Sequence, residues 1–369
     1  MATVVVRRPA RRPAPEIPSG ELVLEAPPEI PAPTGRQWMQ ALAVLPMFVI
    51  MAAVLLMFSG TTTATLRFVV FGLFGVAMLA MVLVAVVRSS GPSTQEMAYA
   101  RRLYLRRLAQ HRLRLLRVVR RQREALRYLH PEPDQLWSLV PSYRLWERRP
   151  DDADFAVTRV GVGPQSPATA LIAPETKPLE QLEPLSALAL RRFLRTYRAI
   201  PELPLAVALT GFGRLHLRGE RTAVVGLVRA MLAQLATLHA PDDLRIAVCA
   251  GRPADWDWVK WLPHALHPEK TDALGPVRLI APSLVGLEAL LEDLLAARPR
   301  FDPDGPRGTG PQLVVVLDGG DVTGSDHLMT GGGVEGVVIL DLSTPPPRTL
   351  DRATLVLDLG PDGAPAAST

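Results

Sequence analysis

The sequence predicts a membrane-anchored α/β protein that combines a two-helix transmembrane hairpin, a long basic stalk helix and a parallel-sheet domain. Three patterns support this prediction. Two long apolar runs lie near the N-terminus, an arginine-dense helical pattern follows them, and the second half alternates apolar strands with helices. The predicted parts are residues 1–36 (a flexible tail), 37–88 (the hairpin), 89–130 (the stalk helix) and 131–369 (the α/β domain).

The N-terminal tail, residues 1–36, is dense in proline and arginine. Such a composition cannot bury a hydrophobic core, so the segment is predicted to be flexible. Within it, Glu21–Glu25 (ELVLE) alternates in polarity like a short strand. A strand docked onto a neighbouring element is therefore the alternative hypothesis for these five residues.

The hairpin prediction depends on the length of the two apolar runs, Trp38–Phe58 and Phe68–Val87, which the small polar segment Ser59–Thr63 separates. At about 1.5 Å per residue, a helix needs roughly 20 residues to cross a hydrocarbon core of about 30 Å. Both runs reach that length. Pro46 would break a soluble helix but is tolerated in a transmembrane one. A buried helical pair in a soluble core is the alternative, which the length disfavours.

A basic helix is predicted from about Ser93 to Leu129, where only Glu96 and Glu124 oppose the arginines. Apolar residues recur at three- and four-residue steps and give the helix one apolar stripe. The helix could be a stalk that packs this stripe on partners, a surface helix on anionic lipid, or a nucleic-acid arm. The stalk is favoured, and the last is disfavoured because no interleaved aromatic residues accompany the charge. The expected partner and lipid contacts are Arg101, Arg102, Leu105, Arg106, Leu108, Arg112, Leu115 and Val119.

Charge distribution predicts the orientation of the hairpin. The tail before it and the helix after it are rich in arginine, whereas the loop between the two runs is not. Because cytoplasmic flanks of membrane spans collect Lys and Arg, both termini are predicted to be cytoplasmic in a multi-pass membrane protein. The single cysteine, Cys249, excludes an internal disulfide and fits a reducing compartment.

The predicted α/β domain is built from continuous apolar strands separated by helices. This pattern is typical of a mainly parallel sheet covered on both faces. The predicted helices are Thr222–Leu238 and Leu284–Ala297. The predicted strands are Phe155–Val162, Leu205–Thr210, Leu215–Gly219, Leu244–Ala250, Val277–Ala281, Leu313–Asp318, Val337–Leu342 and Thr354–Leu359.

The first strand–helix junction lies where a P-loop nucleoside triphosphatase binds phosphate, at the motif G-x-x-x-x-G-K-[ST]. When Gly219 takes the place of the first glycine, Val224, Val225 and Gly226 stand where Gly, Lys and Ser/Thr should be. The lysine that neutralises phosphate and the hydroxyl that holds Mg²⁺ are both missing. We therefore expect a degenerate P-loop-ATPase-like domain, with no catalytic residue, no metal site and no cofactor in this chain.

The second junction, Leu313–Gly319, resembles a Walker B strand that ends in Asp318, although Gly319 replaces the usual glutamate. One hypothesis is a domain with the shape of an ATPase but without its chemistry. The alternative is an active ATP-binding domain, in which Asp318 holds Mg²⁺ and Arg221 or Arg218 substitutes for the lysine. Enzymatic activity is thus left open, with hydrolysis by this chain alone disfavoured.

Two further groups of residues are candidate sites. Trp256–His264 (WDWVKWLPH) contains three of the six tryptophans and is either a hydrophobic lid over the sheet edge or a partner-binding patch. The seven histidines show no spacing typical of metal ligands. His264 and His267 lie in a proline-flanked loop and are predicted to be solvated rather than ligating.

Several motifs together resemble EccC, the FtsK/SpoIIIE-type membrane ATPase component of mycobacterial and actinobacterial ESX (type VII) secretion systems. The resemblance covers essentially the whole chain and corresponds to the N-terminal portion of the family. The motifs that carry it are Leu145–Arg149 (LWERR), Asp154–Phe155, Arg159–Gly163 (RVGVG), Pro241–Ile246 (PDDLRI) and Trp256–His264, together with the order of tail, hairpin and basic stalk.

The resemblance implies a membrane anchor, stalk and regulatory domain of a secretion motor. Distal FtsK-like ATPase modules, on this chain's continuation or on a separate chain, would bind ATP and Mg²⁺. The implied partners are EccB-, EccD- and EccE-like membrane components, of which EccD and EccE would grip the stalk in a higher-order oligomer. Substrates of the WXG100, PE and PPE type would be exported indirectly. A membrane-tethered adaptor outside any secretion complex remains the alternative.

Overall fold

The computed structural model of the chain describes residues 7–30, 51, 92–305, 308, 310–325, 327–360 and 365–368. The predicted transmembrane hairpin, residues 37–88, lies outside the described residues apart from Met51. The chain divides into two compact units. The first contains Met1–Ile17, Arg120–Gln165 and Ile200–Thr369, and the second contains Pro18–Val119 and Ser166–Ala199. This division differs from the predicted single domain 131–369, because Ser166–Ala199 belong to the second unit.

The secondary structure follows the predicted alternation. The helices are α1 (Pro92–Leu129), α2 (Leu136–Leu139), α3 (Pro184–Thr196), α4 (Arg221–Leu238) and α5 (Leu284–Leu295). Short 3-10 segments lie at Pro133–Gln135, Leu179–Gln181, Leu209–Gly211, Pro253–Trp261 and Pro263–Ala265. The strands are β1 (Glu21–Val23), β2 (Val157–Gln165), β3 (Ala170–Ile172), β4 (Ile200–Ala208), β5 (Arg214–Arg218), β6 (Leu244–Ala250), β7 (Leu266–Asp272), β8 (Gly275–Arg278), β9 (Ile280–Ala281), β10 (Gln312–Asp318), β11 (Val337–Asp341), β12 (Thr354–Leu359) and β13 (Pro365–Ser368).

A seven-stranded sheet forms the centre of the first unit, in the order β13–β12–β5–β11–β10–β6–β9. Neighbouring strands are parallel except for the pair β12–β13. Strands β6 and β10 are buried at every residue, as is typical of parallel strands covered on both faces. The predicted parallel-sheet α/β architecture is therefore confirmed.

The two faces of the sheet are covered by different helices. Val314 and Val316 of β10 belong to the core that contains α4 residues such as Val228. Val315 of β10 belongs to the opposite core, with α5 residues such as Leu287. This alternation follows from the two-residue period of a strand. Within the described part of the chain, α4 is the one helix that is long and apolar enough to cross a membrane, and its buried side chains pack in this core.

The second unit has its own small core, formed by Leu24, Tyr104, Leu115, Leu190 and Phe193. Strand β1 pairs in parallel with β3, and Leu24 directly follows β1 into the core. The structure thus differs from the predicted flexible tail at these residues and agrees with the alternative of a docked strand. The physical reason is that Leu24, with Leu22 beside it, packs in a core that also contains residues of α1 and α3, whereas Val23 is exposed.

Arginine side chains of the first unit hold the C-terminal end of α1. Arg148 donates through Nη2 to the Leu129 carbonyl and through Nη1 to the Val157 carbonyl, each at 2.5 Å. Arg144 donates to the Tyr128 carbonyl at 2.9 Å. The last carbonyls of a helix lack partners within it, so these guanidinium groups complete its hydrogen bonding. We call this arrangement, with Asp154 beside Arg148 at 3.1 Å, the stalk joint.

The stalk joint also holds the C-terminal end of α4. The backbone N–H of Trp146 donates to Thr237 at 2.9 Å, and its indole Nε1–H donates to Ala236 at 3.1 Å. The backbone N–H of Arg148 donates to Leu238 at 2.9 Å. The segment from Trp146 to Arg148 therefore donates to three carbonyls of α4 through two backbone N–H groups and the Trp146 indole. The side chains of Arg144 and Arg148 donate to carbonyls of α1.

Buried histidines pack beside the stalk joint. His239 accepts the Ala156 N–H through Nε2 at 2.9 Å and contacts the Leu235 carbonyl through Nδ1 at 3.0 Å, so Nδ1 carries its proton. His264 donates through Nε2 to the His239 carbonyl at 2.8 Å. The prediction that His264 and His267 are solvated is wrong, since they are only 1% and 3% exposed. Local sequence missed this because long-range packing covers the loop.

Acidification should destabilise the first unit. Burial lowers the pKa of His239 to about 3 and that of His130 and of His264 to about 4. The unfolded chain, with a histidine pKa of about 6.5, binds protons that the folded chain excludes. Stability is therefore complete above about pH 6.5 and falls below it, by up to about 2 kcal/mol per histidine at about pH 5. Denaturant unfolding, followed by tryptophan fluorescence above about pH 6.5 and at about pH 5, measures the loss in the free energy of unfolding.

The matched control replaces the exposed His327 by Gln, which should leave the pH dependence of unfolding unchanged, whereas His264→Gln should reduce it. Equal unfolding midpoints at neutral and acidic pH in the unmodified chain would contradict the prediction.

Candidate functional site

The first predicted phosphate-binding junction lies between β5 and α4. Gly219 has a φ of 148°, and a Cβ at this position would lie 2.9 Å from the Leu359 carbonyl oxygen. Glu220 caps α4 by accepting the Ala223 N–H at 3.0 Å. The N-terminus of a helix binds anions when its N–H groups are free. Here a carboxylate of the chain itself takes that position, which opposes the approach of phosphate.

The second predicted position, Asp318 at the end of β10, is only 3% exposed and is fully engaged. It accepts from Arg221 Nη1 at 2.8 Å and Nη2 at 3.0 Å, and from Trp256 Nε1 at 2.9 Å. Arg221 Nη2 also donates to Asp255 at 2.7 Å. We call these four side chains the Arg221 bridge. It joins the start of α4 to the end of β10 across the junction.

The Arg221 bridge is a charged, hydrogen-bonded unit. Burial opposes ionisation of Asp318, but the hydrogen bonds from Arg221 and Trp256 outweigh it and hold the pKa of the carboxyl below its usual value. The hydrogen bonds to Asp318 and Asp255 raise the pKa of Arg221. The Asp318 carboxylate is therefore ionised at neutral pH, and its charge is balanced by the Arg221 guanidinium.

The other residues aligned with the phosphate loop lie away from the junction. Val224 and Val225 are buried in the core beneath the sheet, and Gly226 lies on the exposed side of α4. Arg218, proposed as a substitute for lysine, is paired with Asp358 through two contacts of 2.7 Å. Neither Arg218 nor Arg221 therefore has a guanidinium directed at an open phosphate position.

Sequence reasoning missed two members of the bridge, Asp255 and Trp256. It singled out the tryptophan-rich segment but gave no sign that one indole would bond to Asp318, 62 residues away. Trp256 is completely buried, in agreement with the lid hypothesis, whereas Trp261 is 78% exposed. Among the described residues, no group of three or more His, Cys, Asp or Glu side chains is arranged to hold a metal ion.

The predicted stalk contacts divide between the two sides of α1. Leu108, Leu115 and Val119 pack in the core of the second unit rather than being left for a partner. Leu105 is exposed, as are most of the predicted arginines. The predicted contacts that lie on the surface are Arg102, Leu105, Arg106 and Arg112, while Arg101 lies 3.6 Å from Glu183.

An apolar surface of α1 that the sequence analysis did not single out is exposed. Tyr99, Leu103 and Leu113 lie on the side of the helix opposite Leu115, and all three are accessible. Arg106 lies between them by helical spacing. We call Tyr99, Leu103 and Leu113 the free face of α1. These three apolar residues are visible in the sequence, but nothing local indicated which side of the helix the chain itself would cover.

These features define a class of protein: an α/β domain whose strand–helix junction is closed by its own side chains, and whose core helix ends at a joint with a long basic helix. Comparison with models of protein families finds no match. The ESX secretion system protein EccC of Thermomonospora curvata is 44% identical over 364 residues, which are 98% of this chain and 28% of that protein. The ESX-4 secretion system protein EccC4 of Mycobacterium tuberculosis H37Rv is 38% identical over 58% of this chain and 18% of that protein.

The chain belongs to the EccC family of ESX secretion-system proteins, as its motifs indicated. It spans about a quarter of the length of the curated relatives it matches. Among solved structures, the cytoplasmic domain of the type VII secretion ATPase EccC of Thermomonospora curvata aligns with 58% of this chain and 25% of that one, at 13% identity and a TM-score of 0.26.

Removing the guanidinium from the Arg221 bridge should destabilise the first unit. In Arg221→Gln the buried Asp318 carboxylate keeps Trp256 as its remaining observed donor. We expect a loss of about 1–2 kcal/mol in the free energy of unfolding, moderated because the guanidinium is partly exposed. Adding Asp318→Asn should recover part of it, since the uncompensated charge disappears. Denaturant unfolding of the single and double variants measures these changes.

The matched control is Arg218→Gln, which breaks an equally short bidentate pair at the surface and should leave the unfolding midpoint unchanged. Equal losses for Arg218→Gln and Arg221→Gln would show that burial of Asp318 contributes nothing to the bridge.

Proposed function

We propose that this chain is the membrane anchor, stalk and regulatory domain of a type VII secretion motor, and that it does not hydrolyse ATP itself. Membership of the EccC family supports the role in secretion. In this proposal, further ATPase modules, on a continuation of the chain or on a separate one, bind ATP and Mg²⁺ and supply the work.

The Arg221 bridge is the observation that carries the non-hydrolytic part of the proposal. A phosphate site needs free helix N–H groups, a positive side chain and a carboxylate or hydroxyl for Mg²⁺. At this junction Glu220 caps the helix, while Arg221 and Asp318 neutralise each other. The domain thus satisfies by itself the groups that an active relative would leave for nucleotide.

The position of α4 supports a role in coupling. This helix of 18 residues, about 27 Å long at 1.5 Å per residue, begins at the Arg221 bridge and ends at the stalk joint. In our proposal, displacement of the α/β domain by distal modules passes through the sheet and the stalk joint into α1. Because the terminal carbonyls of both helices are hydrogen-bonded at the joint, α1 and α4 move together.

We further propose that residues 37–88 cross the inner membrane as a hairpin with both termini cytoplasmic, which the length of the two apolar runs supports. EccB-, EccD- and EccE-like components are the proposed partners in a higher-order assembly that exports WXG100, PE and PPE proteins. The exposed arginines of α1 would bind acidic partner surfaces or lipid head groups. The free face of α1 supplies apolar contact area for a partner.

The full chain in mild detergent should not bind nucleotide. Equilibrium binding of a fluorescent ATP analogue with Mg²⁺ is expected to show no saturation up to about 1 mM, a Kd that corresponds to only about −4 kcal/mol. Saturable binding that Asp318→Asn abolishes and the surface control Asp293→Asn preserves would instead establish the alternative, in which Asp318 holds Mg²⁺.

Disrupting the free face of α1 should release partners. A charge at Leu113, which is 61% exposed, would face the partner while leaving the core of the second unit untouched. After gentle solubilisation and affinity purification, Leu113→Asp should lower the recovery of membrane components by about tenfold. Quantitative mass spectrometry of the purified complex measures this recovery.

Leu274→Asp is the matched control, because Leu274 is also an exposed leucine but lies in the turn between β7 and β8. Its recovery of partners should equal that of the unmodified chain. Recovery of the unmodified chain alone, without other membrane proteins, would overturn the secretion-complex proposal in favour of a free-standing membrane-tethered adaptor.

A further inference from the structure

The arginine-rich start of the chain is seated on the first unit. Arg11 forms a bidentate pair with Asp154 at 2.7 and 2.6 Å and lies 2.8 Å from Asp152. Arg8 pairs with Asp243. The Arg12 guanidinium lies over the Tyr143 ring at 4.0 Å. Three arginines within five residues thus each contact a different part of the same surface.

The surface that receives these arginines is made of partly buried carboxylates. The side chains of Asp154 and Asp243 are 17% and 16% exposed. Asp152 also accepts the backbone N–H of Arg149 at 2.8 Å, which fixes its direction. Among the described residues, Asp152 forms its ion pair with Arg11, and Asp243 forms its ion pair with Arg8. Carboxylates held in this way are suited to a cationic ligand rather than to a metal ion, because guanidinium groups already balance them.

The segment is also held through its backbone. Arg149 donates to the Pro9 carbonyl at 3.3 Å, and residues 7–19 form neither helix nor strand. Prolines at positions 9, 13 and 15 restrict the backbone to extended conformations. An extended proline-rich peptide loses less conformational entropy on docking than a flexible one, which favours binding.

We propose that Asp152, Asp154 and Asp243 form a binding site for an arginine- and proline-rich peptide segment, and that residues 8–12 of this chain are its occupant. We call this segment the arginine arm. Its central contact is Asp154, which also pairs with Arg148 of the stalk joint at 3.1 Å. The arm therefore binds the same carboxylate that helps to hold the end of α1.

Docking of the arginine arm affects both flanks of the predicted hairpin, an inference that rests on the proposed membrane topology. The arginine arm precedes residues 37–88 and α1 follows them. Docking of the arm at the stalk joint ties both flanks to one point of the α/β domain. Arg8 and Arg11 are then paired with carboxylates of the chain, so these two arginines are not available to the acidic leaflet.

The test is a cross-linking experiment on the full chain in mild detergent. Cysteines replace Pro9 and Arg149, which contact each other but are not members of the carboxylate pairs. The native Cys249 is buried, and burial raises the pKa of its thiol to about 11, so it reacts slowly. A short bis-maleimide should join positions 9 and 149 within one chain, as identified by peptide mass spectrometry.

Charge variants show whether the carboxylates hold the arm. Arg11→Glu should lower the cross-link yield by about tenfold, as expected for loss of a bidentate charge-assisted pair. Arg7→Glu is the matched control and should leave the yield within about twofold, because the described residues offer Arg7 no ion pair. Adding Asp152→Arg to Arg11→Glu should restore part of the yield, because it reverses the 2.8 Å pair between positions 11 and 152 while Asp154 is unchanged.

Three results would overturn the proposal. The first is a yield that Arg11→Glu leaves unchanged. The second is cross-linking between two chains only, which would make a second copy the occupant. The third is a yield that falls to the Arg11→Glu level in vesicles containing phosphatidylglycerol, which would assign the arginines to lipid. None of these readouts depends on nucleotide or on secretion partners, so the outcome is independent of the test of the proposed function.

Discussion

The buried guanidinium of Arg148 is the interaction on which the arrangement of the first unit depends. It is completely inaccessible, and it joins the end of α1 to β2 while its own backbone N–H caps α4. A buried charge is costly unless it is paired and hydrogen-bonded. Burial lowers the pKa of Arg148 to about 10, and the nearby Asp154 opposes that effect. The cost is offset only when the helix ends, the strand and Asp154 all occupy their places.

The same principle applies at the other end of α4. A parallel sheet brings the carboxyl ends of β5 and β10 to one edge, where polar groups meet whether or not a ligand is present. In this chain Arg221 and Trp256 satisfy Asp318, and Glu220 satisfies the helix N-terminus. In a nucleotide-binding domain this geometry binds phosphate. In this chain the polar groups of the junction hydrogen-bond to one another instead. This closure is the physical basis of the non-hydrolytic role that we propose for the domain.

Arginine serves three physical purposes in this chain. Buried arginines such as Arg144 and Arg148 complete the hydrogen bonding of helix ends. Arg221 pairs with the Asp318 carboxylate at the strand–helix junction. Arginines such as Arg106 remain on the surface of α1. The net charge of +5 does not distinguish these purposes. Only the partner of each guanidinium indicates whether it stabilises the fold, closes a site or is available for another molecule.

The sequence by itself determined part of the secondary structure, although the predicted strand Val277–Ala281 is divided between β8 and β9. Continuous apolar runs gave β6 and β12 their observed bounds, and amphipathic spacing predicted α1 and α4 to within a residue at each end. These features depend on neighbouring residues, so periodicity reports them. The loss of the phosphate-binding lysine was also evident, because the motif is contiguous.

Only the tertiary structure decided which distant side chains meet. Arg221 bonds to Asp318 across 97 residues, and Arg11 to Asp154 across 143. The burial of His264 and His267 and the covering of Leu115 by the second unit likewise depend on how remote elements pack. Strand order and helix packing set such pairings, and no local pattern encodes them. The contacts within the site could therefore be identified only from the tertiary structure.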